Sequence, residues 1–333
     1  MATIDSDAVA VEDLLRRRVM RDRAYGFVDK WMTLIAFALM IAFFWIARPD
    51  AFGTYSNLVS ILDESSTIIL LAVGLTAVLS VAEFDLAFPY LLNLTCATTV
   101  LTMSSLHAGT LAAIGVGIGV GVVAGAIGGY FVALQRASSF IITLAAGFVW
   151  TGLADGFTNS QSVSSGLTNS FVALTSYTWL GFTDRTWIAA IFAVLVWIVI
   201  KWTIPGRYML AVGSNAEASR LAGLRVSWVR VLAYAILGLA VGITGVLLMS
   251  QQAAYYPNVG NAFFLAPYVA AFFGMSVLGT HRFTVFGTVV GALFIGTLQV
   301  GLLILGASLF VGELIQGLVL LVILILIIRP VRR

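Results

Sequence analysis

Charge is what this sequence has least of. Only 10% of its 333 residues are Asp, Glu, Lys or Arg, against about 25% in a soluble domain. Some 60% are hydrophobic and the mean hydropathy is +1.03, an excess that one soluble core cannot hide. These values exclude a soluble enzyme, a disordered chain and a nucleic-acid binder. Cysteine is nearly absent: Cys96 stands alone in an apolar run, which excludes a disulfide framework and a thiolate metal site. The two histidines, His107 and His281, lie far apart at loop edges with no third ligand beside either, so no metal site is expected. Lysine occurs only as Lys30 and Lys201, preceded by Asp29 and Ile200. A phosphate-binding P-loop needs its Lys after a Gly, so this chain does not hydrolyse ATP by that mechanism. No catalytic constellation is expected anywhere in it.

What is present is a succession of apolar runs. A spanning helix takes about 20 residues, and runs extend from about Trp31 to Ala47, Ser65 to Ala82, Leu86 to Leu106, Thr110 to Leu134, Ser139 to Ala154, Trp187 to Ile204, Val229 to Ser250, Phe263 to Leu278, Phe283 to Leu305 and Ser308 to Ile328. The expectation is an all-α polytopic membrane protein of about ten spans. Residues 1–30 are polar and basic without a cleavable apolar region, which predicts a retained cytoplasmic tail rather than a signal peptide. With that end inside, only Arg48 and Arg185 of the 18 basic residues fall outside. That is a strong positive-inside bias, and it places both termini, including residues 329–333, in the cytoplasm. The pI of about 9.1 then reports topology rather than a polyanionic ligand. Residues 31–328 form one transmembrane domain with two long loops. The outer one, 156–184, is rich in Ser, Thr, Asn and Gly and either caps the pore mouth, docks a partner or is simply solvated. The inner one, 205–229, carries the most specific signal.

Within that inner loop, residues 213–224 read Gly-Ser-Asn-Ala-Glu-Ala-Ser-Arg-Leu-Ala-Gly-Leu. Ser214 and Glu217 stand at capping-box spacing, Glu217 and Arg220 can pair at i, i+3, and Gly223 sits where a left-handed residue would end a helix. A short helix is predicted between two spans. Its weak apolar face, Ala218, Leu221 and Ala222, suits a protein-docking element better than a bilayer-bound one.

The stretch Pro205-Gly206-Arg207-Tyr208, then Ala211-Val212-Gly213-Ser214-Asn215, then Ala218-Ser219-Arg220-Leu221-Ala222-Gly223-Leu224 resembles the coupling segment of permease subunits of ATP-binding-cassette importers of the ribose, xylose and autoinducer-2 group. Gly74-Leu75-Thr76, Phe84-Asp85-Leu86, Phe140-Ile141-Ile142-Thr143-Leu144, Ala233-Tyr234, Gly238, Gly245, Gly287, Gly291 and Gly296 agree in order, so the resemblance runs from about residue 57 to 328. Two segments depart from it. The family's Gly-Gly-Ile-Asp-Leu-Ser stands here as Ala82-Glu83-Phe84-Asp85-Leu86-Ala87, and its late Gly-Gly-x-Gly turn as Gly279-Thr280-His281-Arg282. The resemblance implies a bacterial inner-membrane permease subunit for a monosaccharide, polyol or related polar solute. It also implies a separate ATPase carrying ATP and magnesium, an extracytoplasmic solute-binding protein, and a second permease copy or homologue across the pore. The ATPase-coupling residues would be Gly213, Ser214, Asn215, Glu217, Ala218, Arg220, Leu221 and Gly223.

Polar residues inside the runs are candidates for the substrate pathway. Gln299, Glu313 and Gln316 lie at matching depths from the outer side, so they either line one cavity or, for Glu313, answer the helix dipole. Asn93 and Thr143 either contact substrate or bridge helices. Asp85 suits an N-cap of the third span, whose first turn holds Pro89, and Glu83 is a candidate for conformational coupling. Gly117, Gly121 and Gly125 are spaced for close helix packing. The competing reading is an ion-driven secondary transporter, a class that relies on buried carboxylates or broken helices.

Overall fold

The computed structural model describes residues 31, 33–134, 138–277 and 282–328. The expected tails 1–30 and 329–333, Arg136, and the departure at Gly279, Thr280 and His281 lie outside the described residues. In chain order the helices are α1 (Thr33–Ala47), α2 (Pro49–Phe52), α3 (Tyr55–Ser80), α4 (Phe88–Ser104), α5 (Thr110–Leu134), α6 (Ser139–Thr158) and α7 (Asn169–Val172). They continue as α8 (Asp184–Trp202), α9 (Ile204–Ser214), α10 (Ala216–Leu221), α11 (Val226–Gln252), α12 (Leu265–Ser276), α13 (Val285–Ile304) and α14 (Leu309–Ile328). The described chain is mostly helical. Its only strands, β1 (Thr178–Trp179) and β2 (Phe182–Thr183), pair antiparallel within loop 156–184.

Among the described residues seven helices are long and apolar enough to cross a membrane: α3, α5, α6, α8, α11, α13 and the run Val259–Ser276, in which a 3-10 turn (Val259–Phe263) leads into α12. α1 and α14 are further apolar helices, and α4 has 17 residues. Several run boundaries differ from the sequence reading, and two of them show their cause. α3 begins at Tyr55 rather than Ser65, because the Thr54 hydroxyl caps it by accepting from the Asn57 amide at 3.2 Å; its polar first turns conceal the helix from hydropathy. α4 begins only at Phe88, because the backbone leaves the helical path from Val81 to Ala87, with Ala82 at φ 58°.

α3 and α11 form the buried centre, and α6 is the most exposed of the seven. The centre is tight because glycines remove side chains where α5 crosses α11. A Cβ on Gly121 would stand 2.4 Å from the Gly238 carbonyl, one on Gly125 2.7 Å from the Tyr234 carbonyl, and one on Gly238 2.2 Å from the Gly121 carbonyl. The Gly117, Gly121 and Gly125 spacing therefore serves helix contact, as van der Waals association in lipid requires. By the same geometry Gly119, with nothing within 4 Å of a Cβ, lies off the seam.

Replacing Gly238 by Val should cost about 1–3 kcal/mol through overpacking, read as a lower thermal midpoint of the detergent-purified protein. Gly119→Ala should leave that midpoint unchanged.

Candidate coupling site

The connection from α3 to α4 is irregular backbone buried among helices, so each of its polar groups needs a partner from within the protein. Side chains from three helices supply them. The Phe84 amide donates to the Ser139 hydroxyl at 3.1 Å and the Leu86 amide to Thr143 at 3.0 Å, both on α6. The Tyr234 hydroxyl on α11 donates to the Phe84 carbonyl at 2.7 Å. The Tyr268 hydroxyl on α12 donates to the Asp85 carbonyl at 2.7 Å and accepts from the Asp85 amide at 3.3 Å. Asp85 turns its carboxylate inward, where Oδ1 accepts from the Ala87 and Phe88 amides at 2.5 and 3.1 Å. It thus serves the start of α4 from two residues before the N-cap position, Ala87. Beside this turn, Glu83 pairs with Arg230 of α11 at 2.7 Å, both side chains being mostly buried.

Loop 205–229 meets the same turn. Pro205 starts α9 and Thr203 caps it through the Gly206 amide; Gly206 permits the tight reversal out of α8, since a Cβ there would lie 2.2 Å from the Val199 carbonyl. α9 then runs to Gly213, whose Cα sits against the Ser80 carbonyl so closely that a Cβ would be 2.1 Å from it. A cavity of about 410 Å³ lies at this junction, lined by residues that include Ser80, Glu83, Phe84, Leu210, Gly213, Ser214, Arg282 and Phe283.

α10 follows α9 after one residue. The capping box expected from Ser214 is not formed: Ser214 is the last residue of α9 and its hydroxyl donates to the Leu210 carbonyl at 2.8 Å. Asn215 caps instead, its side-chain oxygen accepting from the Ala218 amide at 2.9 Å, because the break between α9 and α10 falls at Asn215 with extended φ and ψ. Glu217 receives two bonds from Arg220, at 2.5 and 3.1 Å, and that hydrogen bonding holds its carboxyl below the usual carboxylate range. At the other end Gly223 adopts φ 87°, the Gly223 amide donates to the Arg220 carbonyl and the Leu224 amide to the Ser219 carbonyl, each at 3.0 Å. This is the paired termination that a left-handed glycine allows. Leu221 is 79% exposed on the helix so framed.

The pathway candidates separate into two groups. Thr143 holds the turn, as above, and Asn93 on α4 accepts from the Gly260 amide at 2.7 Å while donating to Asn261 at 3.4 Å. Both therefore hold backbone, Thr143 that of the turn before α4 and Asn93 that of the 3-10 turn before α12. Gln299 on α13 has a buried Oε1 without a partner, Gln316 on α14 is buried and Glu313 is exposed. A polar group that sequence reasoning missed joins α3, α8 and α11. Arg185 bonds both Asp63 and Gln251, and Thr183 donates to Asp63 at 2.5 Å. Its signal was available: Arg185 is one of the two basic residues that the charge bias leaves outside.

Comparison with known proteins places this geometry in context. Residues 57–326 match the family described as branched-chain amino acid transport system / permease component. The ribose import permease protein RbsC of Escherichia coli strain K12 is 29% identical over 305 residues, covering 89% of this chain and 94% of the relative. The D-allose transport system permease protein AlsC of the same strain is 27% identical, covering 87% and 89%. The L-arabinose ABC transporter permease protein AraH of Azospirillum brasilense is 27% identical, covering 89% and 87%.

Removing one partner of a buried ion pair costs about 3 kcal/mol or more, so Arg230→Met should lower the thermal midpoint markedly. The double change Glu83→Gln with Arg230→Met should recover most of the loss. Asp85→Ala should cost about 1 kcal/mol through the unsatisfied α4 amides, whereas Asp85→Asn, which keeps the acceptor, should cost little in the same measurement.

Proposed function

Because the chain belongs to the family of branched-chain amino acid transport system permease components, we propose that it is the membrane-spanning permease subunit of an ATP-driven, binding-protein-dependent importer of a monosaccharide, polyol or related small polar solute. It resides in the bacterial inner membrane as a multi-pass protein and performs no covalent chemistry itself. The ribose, allose and arabinose permeases among its relatives support the sugar class. The observation that carries the mechanism is the rigidly terminated α10, joined through α9 to the Gly213–Ser80 contact and so to the turn clasped by Tyr234 and Tyr268.

In this reading α10, with Asn215, Glu217, Ala218, Arg220, Leu221 and Gly223, docks on a separate ATPase that holds ATP and magnesium. Gly213 and Ser214 transmit its displacement to the end of α3. Ten spans with both termini cytoplasmic, counting α1, α4 and α14, put α10 and the basic residues of 201–230 on the ATPase side. A second permease copy or a homologue faces this one across the solute passage, since a single subunit does not enclose a pore above a twofold ATPase. An extracytoplasmic solute-binding protein delivers the solute at the side bearing loop 156–184, and lipid covers the outward helix faces.

Arg220→Pro places a ring against the Ala216 carbonyl and removes an amide donor in α10. It should abolish co-purification with the cognate ATPase and reduce ATP-dependent uptake at least tenfold, with the thermal midpoint of the isolated permease unchanged. An uncoupler at constant ATP should leave wild-type uptake intact; collapse of uptake would instead support ion coupling.

A further inference from the structure

The contact between α4 and the 3-10 turn Val259–Phe263 lies within the depth of the bundle. Phe84 meets Tyr234, and Thr95 abuts Gly245, where a Cβ would stand 2.4 Å from the Thr95 hydroxyl. Asn93, between them on the chain, therefore lies well inside the ends of α11, Val226 and Gln252. The turn is bound to it at that level: the Gly260 amide donates to Asn93, and a Cβ on Gly260 would meet the Pro89 carbonyl at 2.1 Å.

The other side of the turn is open. Asn258 and Asn261 are exposed, Phe264 is 36% exposed, and Phe84 of the neighbouring turn is 41% exposed. Phe264 and Phe84 both pack on Tyr268, with ring centroids 6.3 and 6.5 Å away, so the three rings form one continuous surface. Hydrocarbon does not accept such a face. Exposed carboxamides and backbone outside α-helical bonding occur at membrane depth only where protein or water covers them. The carboxylates of the adjoining turn are committed, Asp85 to backbone amides and Glu83 to Arg230, and what Asn261, Phe264 and Phe84 themselves offer is a neutral amide and aromatic surface.

We propose that Asn261, Phe264 and Phe84 line the solute passage and form its selective contact, with the Asn261 carboxamide bonding hydroxyls, the buried Asn93 behind it holding it in place, and the rings packing on the C–H face of a neutral polyhydroxylated solute. This rests on the importer reading above and names the residues through which the solute is recognised inside the membrane. Asn93 has a double part: its side-chain oxygen fixes the turn through Gly260, and its amide nitrogen stands beside Asn261.

The test uses the full transporter, with its ATPase and binding protein, in membranes. Cys96, the native thiol, is fully buried and stays in place as a silent background. Asn261→Cys and Phe264→Cys should react with a charged methanethiosulfonate at least about tenfold faster than Val149→Cys and Val194→Cys, on exposed apolar faces of α6 and α8. Rates no faster than those of the controls overturn the lining. Asn261→Ala and Phe264→Leu should each change the ratio of saturated uptake rates for D-ribose and D-xylose by at least about threefold; unchanged ratios in both variants overturn solute contact. Thiol modification needs no transport, so its failure is distinct from failure of the importer reading, which would appear as no ATP-driven monosaccharide uptake by the wild type.

Discussion

A chain that breaks its helices inside a membrane must find partners for every backbone group that the break sets free, because hydrocarbon provides none. The Val81–Ala87 turn is where this constraint is most severe, and hydroxyls from Ser139, Thr143, Tyr234 and Tyr268 meet it. Each such bond contributes modestly, on the order of 0.6 kcal/mol between membrane helices. Their arrangement matters more than their sum. Three helices are tied to one short stretch of backbone, so a displacement of any of them is felt at the starts of α4 and, through Glu83, of α11.

The α5–α11 seam gives that linkage something firm to act against. Where Gly121 and Gly238 meet, neither helix has a side chain to rearrange, so the contact holds or separates but does not deform gradually. α9 approaches the opposite side of the turn in the same manner, backbone against backbone at Gly213 and Ser80. The hydrogen-bonded turn thus lies between two close backbone contacts, the Gly121–Gly238 seam and the Gly213–Ser80 approach, and contacts packed this closely resist gradual deformation.

Hydropathy made the helical membrane architecture legible, since apolar runs are features local to the chain. The helix Ala216–Leu221, its Glu217–Arg220 pair and its Gly223 ending were readable for the same reason: capping and i, i+3 contacts lie within a few residues. The cap itself was misplaced by one residue. Both Ser214 and Asn215 suit the position, and only the separate helix α9, which runs through Ser214, decides between them. Asn93 and Thr143 were recognisable as unusual, but their partners, Gly260 and Leu86, lie 167 and 57 residues away, and nothing in spacing reveals such pairs. Glu83 and Asp85 stood out for their charge, whereas the roles of Tyr234 and Tyr268 were hidden because a tyrosine in an apolar run reads as one more large side chain. Asp63 was overlooked because the apolar run after it begins at Ser65, while the helix begins at Tyr55.

The Asp63–Arg185 pair also has a history that the finished structure conceals. Its members are separated by 122 residues, and at a synthesis rate of about 10 residues per second the carboxylate emerges roughly 12 seconds before its guanidinium. During that interval the fastening between α3 and α8 has only one of its halves. The same guanidinium bonds Gln251 of α11, so this joint of three helices closes in the order in which the chain is made, and its last partner is 66 residues further on than Arg185.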